Sequence, residues 1–411
     1  MLTILPLASR LSPPDQVRAT VTRLSARLGA RGIAHAIVEP GFHDPSALLI
    51  VTGGAEHLAL AALDATTGPA LLLAHPEQNS LPAAMEILSR LRQTGRPGRI
   101  ALLNDHDDGW ALLARLGACH AARARLASMR IGRIGTPSDW LVASTPPESA
   151  VREAWGPALV DVPMSDVRAA MAEADAAEVT RVVRDFVDRA DGVREPSADD
   201  LSAAGRVVCA LRDVVRQHRL DGCTVRCFDL VADDRTTGCL ALSWLLDEGV
   251  VAGCEGDVPA ALTMAWLQAI AGEPGFIANP QDIDVTGGRV SLAHCTIARR
   301  MVTGYTLRSH FESSLGVGIQ GRLASGPVTL ARIGGADLRE LFVADGDLES
   351  CGDVALRCRT QIDVRLQADL RDLLVRPSGN HHVLVRGHWA ARLREYHALY
   401  VASHVGAAAG G

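Results

Sequence analysis

Two short stretches hold the residue types and spacings that could do chemistry. In the first, an apolar run at positions 250–254 ends on Glu255 and Asp257, and a helical pattern begins at once. Acids at a strand-to-helix junction lie where open α/β sheets place their ligands. In the second, Gly379-Asn380-His381-His382 sets two imidazoles beside a turn, next to the apolar run Val383-Leu384-Val385. Carboxylate plus imidazole is the ligand set of a divalent cation such as Mn²⁺. Such a cation can stabilise negative charge on a bound oxygen while a flanking carboxylate moves a proton.

His381 and His382 face opposite sides if they begin a strand, so only one can point into a site, and the reading takes His382. His294, in SLAHC at a strand end, is a further imidazole. In SHFESS, His310 and Glu312 flank Phe311, so a strand there carries both on one face. Glu312 is then a candidate acid or hydroxyl contact, and His310 a candidate substrate contact. Each has a plain structural alternative. Glu255 could cap the helix that follows it, and Asn279 before Pro280 is by default a turn residue. His294 among apolar neighbours could be a satisfied buried histidine, and His310 with Glu312 a solvated strand face. His388, His397 and His404 read as exposed helix residues without a role. Gly316-Val317-Gly318-Ile319-Gln320-Gly321 fits G-x-G-x-x-G, but a strand and not a helix follows it, so a dinucleotide site is excluded by context.

The elements that must position these residues are legible as an α/β pattern followed by a β-rich one. Residues 1–126 alternate short apolar runs with amphipathic stretches, as βα units on a parallel sheet do. The loop Thr52-Gly53-Gly54-Ala55-Glu56 follows one of these strands and opens a helix; it is a possible ligand contact, or simple turn chemistry. A second α/β domain over 127–297 carries Glu255. It contains a long helical stretch at 165–190 broken near 173–177, a helix at 199–218, and a strand at 225–231. From 298 to 411 the pattern changes to alternation punctuated by Gly and Pro, typical of an antiparallel barrel or sandwich. That third domain carries His381 and His382, and its tail from Gly406 reads as a disordered end. The fold class is therefore α/β: two Rossmann-like, flavodoxin-like parallel-sheet domains and a C-terminal β-rich, barrel-like domain.

Composition narrows the chemistry. The 411 residues carry a formal charge of -6, with 48% hydrophobic and 21% charged residues, ordinary for a soluble enzyme. Without a basic footprint nucleic acid is not an expected partner. No apolar run reaches the ~20 residues that span a bilayer, so no membrane association is expected. All 41 basic residues are Arg, and the absence of Lys excludes Schiff-base aldolases, pyridoxal-phosphate enzymes and P-loop hydrolases. The 9 cysteines form no C-x-x-C pair, which favours reduced, mostly buried thiols in a cytoplasmic protein.

Taken together, CEGDVPAALTM, LAHCTI, SHFESSLGVGIQGR, CRTQIDV and GNHHVLV resemble the L-fucose isomerase and L-arabinose isomerase superfamily, particularly its shorter fucose-isomerase-like members. IGRIGTPSDWLVAST likewise resembles the start of that family's middle domain. The resemblance implies a metal-dependent intramolecular oxidoreductase acting on a sugar or sugar-like hydroxy-carbonyl compound, with Mn²⁺ as the ion. It makes Glu255 both ligand and proton shuttle, with Asp257 beside it toward the substrate. It also implies a C-terminal histidine ligand, His382 with His381 as a substrate contact, and gives His294 the place of a histidine used in the arabinose branch. The family's second acidic ligand falls on Asn279, whose carbonyl can bind a metal but cannot accept a proton. Asp282 and Asp284, a few residues on, are possible substitutes. Other metal-assisted carbonyl chemistry, such as epimerisation or C–C cleavage, and a sugar-binding protein without turnover are the alternatives. The family's trimers and hexamers, with sites at subunit boundaries, imply a homo-oligomer.

Overall fold

A computed structural model describes residues 1–66 and 68–402, which pack as two compact units. One holds Met1–Arg123 with residues 394–402, the other Ala124–Leu393. In the first unit, β1 (Leu2–Leu7), β2 (His35–Ile37), β3 (Ala47–Ile50), β4 (Ala70–Ala74) and β5 (Gly98–Leu102) form a parallel sheet in the order β2-β1-β3-β4-β5. Leu48 and Ile50 enter one core with Leu5, Leu7 and Leu72, while Ala47, Leu49 and Val51 enter another with Leu2, Ile4 and Leu73. Burial on both faces is why these strands read as unbroken apolar runs. In the loop after β3, Gly54 adopts φ +81 beside Ser9, and the Thr52 hydroxyl accepts from the Ser9 amide at 2.8 Å, which is turn chemistry.

In the second unit, β6 (Arg130–Ile134), β7 (Ala158–Val162), β9 (Gly222–Val225) and β10 (Val251–Cys254) form a parallel sheet in the order β10-β9-β6-β7. The two-residue β8 (Gly192–Val193) pairs elsewhere. The expected strand at 225–231 ends at Val225, and Cys227–Ala232 is a helix. Its buried Cys227 and Leu230 are three apart, so the apolar run was one face of a helical turn. The helical stretch after residue 164 breaks as expected, with Asp175 capping Ala176–Asp188 through a 2.8 Å bond from the Glu178 amide.

The C-terminal strands are β11 (Phe276–Asp284), β12 (Arg289–His294), β13 (Gly304–Arg308), β14 (Gly318–Arg322), β15 (Gly326–Gly334), β16 (Glu340–Cys351), β17 (Thr360–Leu366) and β18 (His382–Arg386). Six of them close an antiparallel barrel in the order β11-β12-β17-β16-β15-β18, and β14-β13-β8 form a small separate sheet. Two barrel strands, β11 and β12, precede residue 298. The helix Val258–Ala271 joins sheet to barrel: it packs on β9 and β10 on one side and on β11, β15 and β18 on the other. Almost every side chain along it is buried, as expected of a helix apolar on all faces. It ends at Gly272, whose φ of +77 suits a residue without Cβ.

His388 lies between β18 and the last helix, with Nε2 3.0 Å from the Gly346 carbonyl, so it is not a helix residue as expected. His397 is half-buried on the helix Ala390–Tyr400. His404 and the tail from Gly406 lie outside the described residues.

Candidate metal centre

Strand β10 delivers Glu255 through a strained turn. Glu255 has φ +64 and Gly256 φ +77, two consecutive left-handed residues. A Cβ on Gly256 would lie 2.6 Å from the Cα of Pro137, so only glycine fits there. A left-handed non-glycine residue costs about 1–3 kcal/mol and persists where its surroundings over-determine it, often at functional sites. Here the Glu255 carbonyl accepts from the Ser138 amide at 2.9 Å. The helix cap falls to Asp257, which accepts from the Ala260 amide at 2.7 Å. Glu255 is thereby free of a capping role, and its carboxylate meets Trp140 and His381 instead.

Barrel register supplies the other groups. Ala278 on β11 pairs with His382 on β18, and Asn279 pairs with Ala293 on β12. Asn279, His294 and His381 are therefore neighbours at one end of the barrel. Glu255, His294 and His381 each present a ligand atom, all within 4.8 Å of one another. His381 Nε2 lies 3.4 Å from Glu255 Oε1, and its ring stands edge-on to His294 with centroids 5.5 Å apart.

The expectation that His382 faces the site is overturned. His382 is the first residue of β18, so alternation sends it to the side opposite its neighbour. Its Nδ1 is 3.2 Å from the Asn380 carbonyl and its ring packs edge-on against Phe342. Burial, then the charge of Arg332, lowers its pKa to about 4.

Two buried polar atoms at this barrel end, Asn279 Oδ1 and His294 Nδ1, have no hydrogen-bond partner, and His381 Nε2 meets the Glu255 carboxylate at 3.4 Å. Leaving one such group unsatisfied costs about 1–3 kcal/mol, so two of them lining one cavity with a carboxylate mark a place built for a ligand. The donor set of carboxylate, amide oxygen and two imidazoles fits a divalent cation. His294 is thus not the satisfied buried histidine of the plain reading; burial lowers its pKa to about 3, leaving the neutral ring that metals bind. Burial alone would raise the Glu255 carboxyl, but the hydrogen bond and charge of His381, the charge of His294 and the Trp140 indole outweigh it and hold it at about 2. Burial likewise works against the His381 cation, yet Asp257 and then Glu255 raise it to about 9.

Behind His381 stands a second row of groups. Its Nδ1 lies 3.0 Å from Asp257 Oδ2, and Asp257 meets Arg332 Nη1 at 3.2 and 3.1 Å through its two oxygens. Arg332 is wholly buried and also donates to the Ser144 hydroxyl at 2.8 Å and the Ser378 carbonyl at 3.2 Å. Despite burial, this guanidinium and His381 keep the Asp257 carboxyl below its usual range. Gly379 gives the guanidinium its room, because a Cβ there would collide with Arg332. Reading the sequence missed Arg332, although a charge inside the apolar run Val328-Thr329-Leu330-Ala331-Arg332-Ile333 was a visible signal. Trp140, which donates to Glu255 Oε2 at 2.6 Å, carried no such signal.

A cavity of about 80 Å³ opens beside the cluster, lined by Glu255, Asn279, His294, His310, Glu312, Phe228 and Val231 among others. His310 and Glu312 do reach it, but not from a strand as expected. Strand β13 stops at Arg308, and residues 311–313 form a turn. The Ser313 hydroxyl is 3.1 Å from His310 Nδ1 and accepts from the Leu315 amide at 3.2 Å, while Ser314 turns left-handed at φ +56. Side-chain bonds of this kind compete with a ladder and end it. Burial lowers the His310 pKa. Asp282 and Asp284 lie exposed at the far end of β11, away from the cavity lining, and do not substitute for the missing acid.

No family model matches the chain. Over 268 residues it is 24% identical to the sulfoquinovose isomerase of Alkalicoccus urumqiensis, covering 62% of this chain and 59% of that protein. Over 125 residues it is 26% identical to the sulfoquinovose isomerases of Priestia aryabhattai and Priestia megaterium, covering 29% of this chain and 28% of each of theirs. The match thus spans less than two thirds of the curated relatives, and the chain is distantly similar to proteins named as isomerases.

Proposed function

We propose that the chain is an aldose–ketose isomerase for a sugar or sugar-like hydroxy-carbonyl compound, with a divalent cation, Mn²⁺ by expectation, held by Glu255, Asn279, His294 and His381. The observation that carries this reading is that Glu255, His294 and His381 bring ligand atoms within 4.8 Å of one another, while Asn279 Oδ1 and His294 Nδ1 are buried without a hydrogen-bond partner. The names of the distant relatives agree with it. When bound, the cation stabilises negative charge that builds on the two substrate oxygens. Glu255, ionised at neutral pH, takes a proton from one carbon and returns it to the next. Trp140 fixes Oε2 of that carboxylate. Glu312, the other acid lining the cavity, supplies the second carboxylate that Asn279 cannot, with His310 against the substrate hydroxyls. The reading includes a cytoplasmic homo-oligomer, trimer or hexamer, which light scattering tests.

The decisive experiment combines metal analysis of the purified protein with assays on pentoses, hexoses, 6-deoxysugars and sulfoquinovose in D₂O with Mn²⁺ present. Ketose formation with solvent deuterium at the carbon next to the carbonyl is the expected result. Neither isomerisation nor exchange across the panel, with no thermal shift on adding Mn²⁺, removes the reading. The neutral Asn279 favours a second one, metal-assisted epimerisation or C–C cleavage, which deuterium exchange without any ketose would single out.

A further inference from the structure

The cavity beside Glu255 is walled by thiols. Five of the nine cysteines, Cys227, Cys239, Cys254, Cys295 and Cys358, line it, and all nine are free. Cys227 and Cys254 meet among them, their Sγ atoms 3.0 Å apart and both side chains buried. Sheet register fixes that contact. Val225 stands opposite Cys254 across β9 and β10, and Cys227 opens the helix that follows β9. A tetrahedral thiolate site with metal–sulfur bonds of about 2.3 Å holds its sulfurs roughly 3.8 Å apart, too wide for this pair. A disulfide of about 2.05 Å needs the sulfurs to close by only ~1 Å. Nor does any cysteine join the one cluster among the described residues whose ligand atoms could share an ion.

We propose that Cys227 and Cys254 form an oxidation site, at which hydrogen peroxide entering the cavity converts the two thiols to a disulfide. The sulfur of one cysteine attacks a peroxide oxygen; the S–O bond forms, the O–O bond breaks, and the departing hydroxide takes the thiol proton to leave as water. The second sulfur then attacks the first; the S–S bond forms, the S–O bond breaks, and the released hydroxide takes the remaining thiol proton. Two thiols lose two electrons, peroxide gains them, and two waters result. Both thiols are buried, so the reaction is slow and favours a small neutral oxidant. Exposed Cys351 is the thiol that bulky alkylating reagents reach first. Because Cys254 precedes Glu255 in its left-handed turn, the cross-link also shifts the carboxylate relative to His381; the effect of that shift on cation binding rests on the proposed function, whereas the disulfide does not.

The test treats the full chain, stripped of metal, with hydrogen peroxide, then unfolds it, alkylates remaining thiols and cleaves after arginine. The expected product is peptide 227–235 linked to peptide 236–289, lost in Cys227→Ser, retained in Cys239→Ser and reversed by dithiothreitol. Oxidation confined to Cys351, or a link that depends on Cys239, overturns the proposal. The cross-linked protein should bind Mn²⁺ roughly tenfold more weakly than the reduced protein, the size of effect seen when groups supporting a ligand are disturbed. Unchanged affinity overturns the effect on the site. Failure of the reduced protein to bind Mn²⁺ removes the proposed function while the cross-link stands.

Discussion

His381 is held from behind by Asp257: Nδ1 lies 3.0 Å from Oδ2, and both side chains are completely buried. A carboxylate on one ring nitrogen fixes the tautomer and turns the other, Nε2, toward Glu255. Asp257→Asn keeps the shape and removes the charge. It should weaken Mn²⁺ binding about 10- to 100-fold, read by titration calorimetry, with little change in secondary structure by circular dichroism. Equal affinity in the variant would take Asp257 out of the site.

Arg332→Met strands the Asp257 charge without its partner. Removing one member of a buried pair costs about 3–5 kcal/mol, so chemical denaturation should show a loss of that order, larger than for Asp257→Asn with Arg332→Met together. Additive losses in the double variant would mean the two residues act independently.

The ionisation of the cluster predicts opposite pH trends for protein with and without cation. Pairing raises the His381 pKa from 6.5 to about 9, so its stabilisation is complete below about 6.5 and is lost as pH rises through 9. The Glu255 pKa falls from 4.5 to about 2, so its stabilisation is present above about 4.5 and is lost as pH falls through 2. In metal-free protein this pair therefore contributes most between these limits. A divalent cation must displace the proton on His381 Nε2, so the rise in Tm on adding Mn²⁺ should grow from pH 6 to pH 9. Thermal scans across that range with and without Mn²⁺ check it; a constant increment would place the ion elsewhere.

Glu255→Gln should abolish deuterium exchange into substrate by at least ~100-fold, the lower range for loss of an acid–base group, while Tm stays near that of the parent. Asn279→Asp is the informative partner. Adding a carboxylate beside Glu255 should tighten Mn²⁺ by roughly tenfold, about 1.4 kcal/mol. Weaker binding would show that the amide oxygen is not directed at the ion.

The sequence by itself determined the layers and the two stretches that matter. Period-two and period-3.6 patterns are local, so the parallel strands such as Ala47–Ile50, the helix Val258–Ala271 and the antiparallel run after residue 298 were all visible, as were Glu255 and the GNHH turn, whereas the barrel strands β11 and β12 were not assigned to it. Tertiary structure decided which imidazole counts. His381 and His382 differ by one residue, and the barrel register that pairs Ala278 with His382 alone chooses between them. It also turned Asp257 into the helix cap and ended β13 before His310, through side-chain hydrogen bonds that leave no periodic trace. Arg332 lies 75 residues from Asp257 and 188 from Ser144. Contacts across such separations arise only when the barrel closes against the sheet, and no local pattern encodes them.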